Sequence, residues 1–241
     1  MQYSNTARES FEKFLADDNE ENGAKPTAAG TLMRCSDALN CLRQRGFAAA
    51  KFPEAHSFDT STLIAFSLGT SMHELLQNAI GHVHGGEFEK VVDLSPSGVS
   101  LSGSSDGVVQ VDGQTRLLEI KTMGGYPFKI AKETGIPKRQ HVAQAALYAL
   151  GTPGVTHLWM VYLAKESGFR GAHKVGDMLE FVIELDEELF DGFTPRQIAE
   201  QELDNFRSVQ QSLSEEMLPD AVVFDDNGMD MLVAVSYTHL R

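Results

Sequence analysis

Between residues 88 and 123 the apolar residues stop following a helix and start falling at strand-like positions. "FEKVVDL", "GVSLSGSSDGVVQV" and "TRLLEIKTM" alternate or run apolar, and Gly-rich or Asp-Gly breaks separate them. The pattern predicts three consecutive strands joined by hairpins. The third strand carries an anomaly. In "LLEIKTMGG", residues 117–125, Glu119 and Lys121 interrupt Leu117, Leu118 and Ile120. Side chains alternate across a strand, so Glu119 and Lys121 leave one face while Leu118, Ile120 and Thr122 leave the other. A solvated strand face is one explanation, and a site built on that face is another.

Helical spacing flanks the strands. Residues 31–50 place Leu32, Leu39 and Leu42 on one side, and "SLGTSMHELLQNAIGHVHGG" predicts a second helix that opens near Gly69, with Ser71 and Glu74 at capping-box spacing. "PKRQHVAQAALYALG" predicts a helix that stops at Gly151. "THLWMVYLA" and "MLEFVIEL" predict two further strands, and residues 186–219 one or two long C-terminal helices. This order is expected of one α/β domain with a mixed sheet and a helical N-terminal extension. Residues 1–30 form a polar segment, 31–232 the domain, and 233–241, ending "SYTHLR", read as a doubtful, non-native end.

Charge narrows the function classes. The formal net charge is −14, which argues against a protein that coats nucleic acid without specificity. The charge is uneven. Residues 184–230 hold fourteen acids against Arg196 and Arg207, while 121–141 hold five bases (Lys121, Lys129, Lys132, Lys138, Arg139) against Glu133. Residues 31–51 hold four bases against Asp37. Two basic stretches on an acidic body could line a cleft, and ordinary scatter of surface charge is the alternative. No run of 18 apolar residues and no signal-peptide pattern occurs, so a soluble, cytoplasmic protein without membrane contact is expected. Cys35 and Cys41, the two cysteines, make no disulfide framework and cannot alone build a four-thiolate metal site.

The acids on the strands carry the chemistry. Asp106, in "SGSSDGVVQV", lies thirteen residues before Glu119, and a hairpin of that length brings the two together, with Lys121 two residues on. Facing carboxylates repel unless a cation lies between them. Mg²⁺ takes oxygen ligands from one or two carboxylates and completes its shell with water and phosphate oxygens. Asp106, Glu119 and Lys121 thus fit a metal site beside an ammonium. The metal lowers the pKa of a bound water, and the ammonium orients it or stabilises charge on a phosphate. Lys121 faces the carboxylates rather than the core, so its replacement is expected to leave stability intact. Glu87 and Glu89 are both candidates for a supporting acidic role, as well as for a solvated strand end.

"SDGVVQVDGQTRLLEIKT" resembles the core of the PD-(D/E)XK nucleases, with Ser105 in place of the proline. "GTSMHELL" resembles the upstream G-x-x-x-H motif of the RecB-like exonuclease branch, and "HVAQAALYAL" its downstream Q-x-x-x-Y motif. That branch includes phage exonucleases and CRISPR-associated adaptation exonucleases. The resemblance covers roughly residues 35–165. It implies a restriction-endonuclease-like mixed β-sheet core flanked by helices. It makes His73 and the carbonyl of Ile120 metal ligands beside Asp106 and Glu119, places Gln144 and Tyr148 at the active site and the DNA, and turns the basic stretch 121–141, with Lys138 and Arg139, towards the DNA backbone.

The implied function is a Mg²⁺- or Mn²⁺-dependent DNA exonuclease of a phage or mobile element, with recombination or replication proteins as partners. A structure-selective endonuclease or resolvase of the same superfamily fits the motifs equally. A catalytically silent DNA-binding or interaction scaffold is the alternative from another class. Many relatives hold an iron–sulfur cluster with one cysteine before the core and three after it. Cys35 or Cys41 suits the first position and none follows residue 41, so a cluster is expected only of a longer chain.

Overall fold

The structure is a computed structural model and describes residues 6–22, 33–50, 58–220, 222–224 and 230–232. The C-terminal residues 233–241 lie outside the described residues. Five strands form one mixed sheet: β1 (Glu87–Val91), β2 (Ser104–Val111), β3 (Gln114–Met123), β4 (His157–Ala164) and β5 (Met178–Glu184), side by side in that order. β3 and β4 run parallel, and the other neighbours run antiparallel. The β2–β3 hairpin turns on Asp112 and Gly113, both at positive φ (53° and 78°), as a tight Asp-Gly turn requires.

Helices cover both faces. α1 (Thr6–Asn22) packs on α3 (Thr60–His84), and Ile80 of α3 packs with Val109, Leu118, Ile120, Trp159 and Val161 on one side of the sheet. The opposite face holds the larger core, formed with α4 (Gly125–Thr134), α5 (Arg139–Leu150) and α6 (Pro195–Ser214). α5 is buried almost all round, and its alanines, Ala143, Ala145, Ala146 and Ala149, let it lie close to its neighbours. A short helix, α2 (Leu42–Ala49), is tied to α6 by an Arg45–Glu202 ion pair of 2.8 Å. Burial pulls the Arg45 pKa down, and Glu202 also accepts the Leu39 N–H at 2.8 Å. No helix among the described residues is long and apolar enough to cross a membrane.

Three helices differ from expectation. Of the stretch 31–50, Cys35–Asp37 is a single 3-10 turn and Leu39 stands at φ 59°, so the α-helix is confined to Leu42–Ala49. α3 begins at Thr60, where the Asp59 carboxylate caps it by accepting the Thr62 N–H at 2.7 Å. Ser71 and Glu74 are therefore mid-helix. α4 opens on the second glycine of "MGG" and has no counterpart among the expected elements. Tertiary packing of Phe128 and Ala131 holds it, although Gly125 and Pro127 suggest a loop.

Candidate active site

The register places the acids. β2 and β3 pair from Val111–Gln114 to Gly107–Leu118, which leaves Asp106 and Glu119 as the next residue on each strand. Regular pairing ends at that step. Asp106 Oδ2 accepts the Ile120 N–H at 2.5 Å, so a side chain takes over a ladder bond and the two strands part. The fork opens on the face that carries α5, as Glu119 and Lys121 share that face.

Glu119 is only 2% exposed. Its Oε1 lies 2.6 Å from Lys121 Nζ, and its Oε2 is buried with no hydrogen-bond partner. Burial and then the Glu119 charge push Asp106 up to about 8, against the opposing pull of the Ile120 N–H and Lys121. From α3, His73 donates a short ring N–H hydrogen bond to the Ile120 carbonyl oxygen, and its Nδ1 lies 3.5 Å from Asp106 Oδ1.

α5 supplies the far wall. Lys121 Nζ donates to Gln144 Oε1 at 3.0 Å, and Gln144 Nε2 donates to the Tyr148 hydroxyl oxygen at 3.1 Å. Burial, then Glu119, raises the Tyr148 pKa, so the hydroxyl keeps its proton. The Tyr148 ring rests on the backbone of Gly103, where a Cβ would collide with it. His73, Asp106, Glu119, Ile120, Lys121, Gln144 and Tyr148 are thus brought together. Lys138 is exposed at the start of α5. Arg139 is not available in the same way. It is 6% exposed, with its guanidinium over the rings of Phe190 (5.4 Å) and Phe193 (5.6 Å). The guanidinium lies against the half-buried Phe190 and the 42% exposed Phe193 rather than standing free in solvent.

Several residues join the site that motif reading leaves open or misses. Glu89 faces Asp106 in the β1–β2 register, between the pairs Phe88–Gly107 and Lys90–Ser105, and its charge contributes to the raised Asp106 pKa. Its φ of 49° marks an irregular strand, which period-two counting cannot anticipate. Glu87 instead pairs with Lys90 at 2.5 Å on the surface. Gln77 Nε2 donates to Glu89 Oε1 (2.6 Å) and to the Asp106 carbonyl oxygen (3.0 Å). The spacing of Gln77 from His73, one helical turn, was the available signal. His141 Nδ1 meets the Tyr162 hydroxyl at 2.8 Å, and that oxygen also accepts the Lys138 N–H at 2.9 Å. Burial, then Lys121 and Lys138, pushes His141 down to about 3. Cys35 is buried, and burial, then Glu119, pushes it up to about 12, so it is a thiol.

No three His, Cys, Asp or Glu side chains among the described residues already converge as a cage for an ion. A cation here would be held by two carboxylates and a backbone carbonyl, with other oxygens completing its shell, a set that suits Mg²⁺. The buried, unpartnered Glu119 Oε2 fits that assignment, because an uncompensated carboxylate oxygen inside a protein is costly.

No protein-family model matches the chain, and no curated protein matches its sequence. Solved structures do match. An alkaline exonuclease, LHK-Exo, from Laribacter hongkongensis superposes with a TM-score of 0.52 and 16% identity, over 78% of this chain and 93% of that one. The chain shares its fold. LHK-Exo in complex with dAMP gives the same TM-score at 15% identity, over 78% of this chain and 91% of that one. At these identities the likeness concerns the arrangement of the sheet and helices alone.

Proposed function

We propose that this chain is a divalent-metal-dependent nuclease of the PD-(D/E)XK superfamily that hydrolyses phosphodiester bonds in DNA from a free end. The observation that carries it is the β2–β3 fork: Asp106 and Glu119 follow the last paired residues, Gly107 and Leu118, with Lys121 on Glu119 and one Glu119 oxygen unpartnered. The fold shared with LHK-Exo supports the reading, as does the order of the four motifs.

Asp106, Glu119 and the Ile120 carbonyl would hold Mg²⁺ or Mn²⁺, with His73 beside them. Such an ion, when bound, lowers the pKa of a water and neutralises charge on the phosphate. The protein does the rest. Lys121 orients the attacking water and stabilises charge developing on the phosphate oxygens. Gln144 aims the Lys121 ammonium, and Tyr148 fixes Gln144. Neutral His141, hydrogen-bonded to the Tyr162 hydroxyl, adds no second positive charge near Lys121. Gln77 holds Glu89 and the Asp106 backbone in place. Exposed Lys138 provides a phosphate contact at the rim. A phage or mobile-element setting, with recombination or replication partners inside the cell, fits this activity.

The test uses end-labelled linear and covalently closed circular DNA with Mg²⁺, Mn²⁺, Ca²⁺ or EDTA. Release of nucleotides from linear DNA alone, abolished by EDTA, is expected. Cutting of closed circles would make the chain an endonuclease or resolvase, and full activity in EDTA would exclude the metal mechanism. DNA binding without cleavage under every condition would leave the scaffold reading.

A further inference from the structure

The loop between β4 and β5, residues 165–177, carries a feature that the catalytic cluster does not use. Phe169 is 84% exposed. Arg170 follows it at φ 54° and ψ 27°, a left-handed conformation that costs a non-glycine residue energy, and its guanidinium lies 5.1 Å from the Phe169 ring centroid. Below the turn the loop is firmly anchored. His173 is buried with its ring 4.8 Å from that of Phe128 on α4, Gly168 N donates to the His173 carbonyl at 3.0 Å, and Lys132 Nζ donates to the Ala172 carbonyl at 3.1 Å. A rigid base therefore holds an aromatic ring and a guanidinium out in solvent.

The position of this turn points to its occupant. Lys165 N donates to the Met123 carbonyl at 3.0 Å, and the Glu166 carboxylate accepts the Gly125 N–H. Met123 lies two residues past Lys121 on the same strand face, about 7 Å along β3. Tyr126, 74% exposed, stands at the start of α4 at the same end of the sheet. The local charge is inverted relative to the chain. Residues 125–134 and 165–174 together hold Lys129, Lys132, Lys165, Arg170 and Lys174 against Glu133 and Glu166, in a protein of net charge −14. Glu133 is already engaged by Lys129 at 3.6 Å. Exposed aromatic rings among cations match a polyanion whose monomers carry flat π faces.

We infer that the Phe169–Arg170 turn is a stacking platform for an unpaired base of the DNA strand whose phosphate lies at Lys121. The inference rests on the nuclease reading for its placement beside Lys121. It narrows the substrate to ends that are single-stranded or frayed, since a fully paired terminal base offers no free face to stack.

The experiment measures affinity of the full chain by fluorescence anisotropy in Ca²⁺, for a labelled oligothymidylate and for an abasic oligonucleotide of the same length. Wild type, Phe169→Ala, Phe169→Trp and Arg170→Ala are compared, with cleavage of the oligothymidylate in Mg²⁺ as a separate arm. Phe169→Ala is expected to weaken oligothymidylate binding about ten-fold and abasic binding less than two-fold. Phe169→Trp is expected to restore affinity, with its fluorescence quenched by the base. Arg170→Ala is expected to weaken both ligands and reduce the salt slope by about one. Equal losses of Phe169→Ala on both ligands, or none on either, would overturn the platform. So would a Phe169-dependent self-association without any change in DNA affinity. If wild type cleaves while Phe169→Ala binds normally, the platform fails and the nuclease stands. If binding depends on Phe169 but wild type never cleaves, the platform stands and the nuclease fails. No DNA binding by wild type sinks both.

Discussion

The Lys121 ammonium lies 2.6 Å from Glu119 Oε1, on a carboxylate that is almost wholly buried, and its other hydrogen bond goes to Gln144. This pairing changes what the loss of Lys121 should do. Lys121→Ala leaves Glu119 buried without its counter-charge, so stability should fall, by about 1–3 kcal/mol. The expectation of unchanged stability rested on Lys121 facing away from the core, and it left out the buried charge of Glu119. Cleavage should fall at least 100-fold in Lys121→Ala and in Asp106→Ala. Rates at saturating DNA and melting temperatures on the same two proteins check this. Near-wild-type cleavage by both would refute the proposed site.

Asp106 gives the metal-free protein a pH dependence with a definite sign. Its folded pKa, about 8, stands above the ordinary carboxylate value near 4, so the folded state holds a proton that the unfolded state releases. This contribution is fully present below pH 4 and is lost as pH rises towards 8. His141 acts oppositely, from about pH 6.5 down to 3, because burial keeps its folded form neutral. Between pH 7 and 8 only the Asp106 effect remains. In EDTA, wild type should lose melting temperature from pH 5 to 8 by roughly 5 °C more than Asp106→Asn, and Mg²⁺ should narrow the gap. Identical slopes for the two proteins would mean that Asp106 ionises normally.

Lys138 and Arg139 are neighbours in sequence with different expected roles. Lys138→Ala should weaken DNA binding and reduce the salt slope by about one, with little effect on stability. Arg139→Ala should cost about 2–4 kcal/mol of stability, since it removes a buried guanidinium from between Phe190 and Phe193. A salt titration of binding and a denaturant melt on each variant separate the two effects. The reverse pattern would mean that Arg139, and not Lys138, meets the DNA.

This contrast shows where the sequence was legible. The Asp-Gly hairpin, Asp106 and Glu119 next to its last pair, and the Gln144–Tyr148 pair follow from local rules of register and helical turn. Their spacing alone constrains their geometry. Burial of Arg139 depends on Phe190 and Phe193, some fifty residues away, and no local pattern encodes it. The α4 helix is similar. Its glycines and proline suggest a loop, and only packing of Phe128 and Ala131 against the sheet makes it a helix. Glu89 was one of two open candidates because its place depends on an irregular strand at positive φ.

Gln77 and Glu89 should tune the metal rather than perform the chemistry. Gln77→Ala frees Glu89 and the Asp106 backbone, and apparent Mg²⁺ affinity should fall about 10–100-fold, while the rate at saturating Mg²⁺ stays within a few-fold. Glu89→Gln removes a charge beside Asp106, so the raised Asp106 pKa should relax downwards. Metal titrations of the cleavage rate follow the first effect, and the EDTA melting profile against pH follows the second. An unchanged Mg²⁺ titration in Gln77→Ala would leave Gln77 with a purely structural role.

Gly103 offers the most indirect test of the same chain of contacts. It lies just before β2, and its carbonyl accepts the Val92 N–H at 3.0 Å. A methyl group there would collide with the Tyr148 ring, which is itself buried and has nowhere else to go. Gly103→Ala should therefore push the ring aside and break the Tyr148–Gln144 contact. The Lys121 ammonium would then lose the partner that aims it and rest on Glu119 alone. Cleavage should fall roughly ten- to a hundred-fold with the acids untouched, since small displacements of positioned groups have effects of that size. Tyr148→Phe removes the hydroxyl and keeps the ring, so it should cause a smaller loss. Combining the two separates packing from positioning. If Gly103→Ala acts only through Tyr148, adding it to Tyr148→Ala, which vacates the space, should cost little more. Fully additive losses in that pair, measured as rates at saturating DNA, would show that Gly103 acts through the β2 backbone and not through the tyrosine.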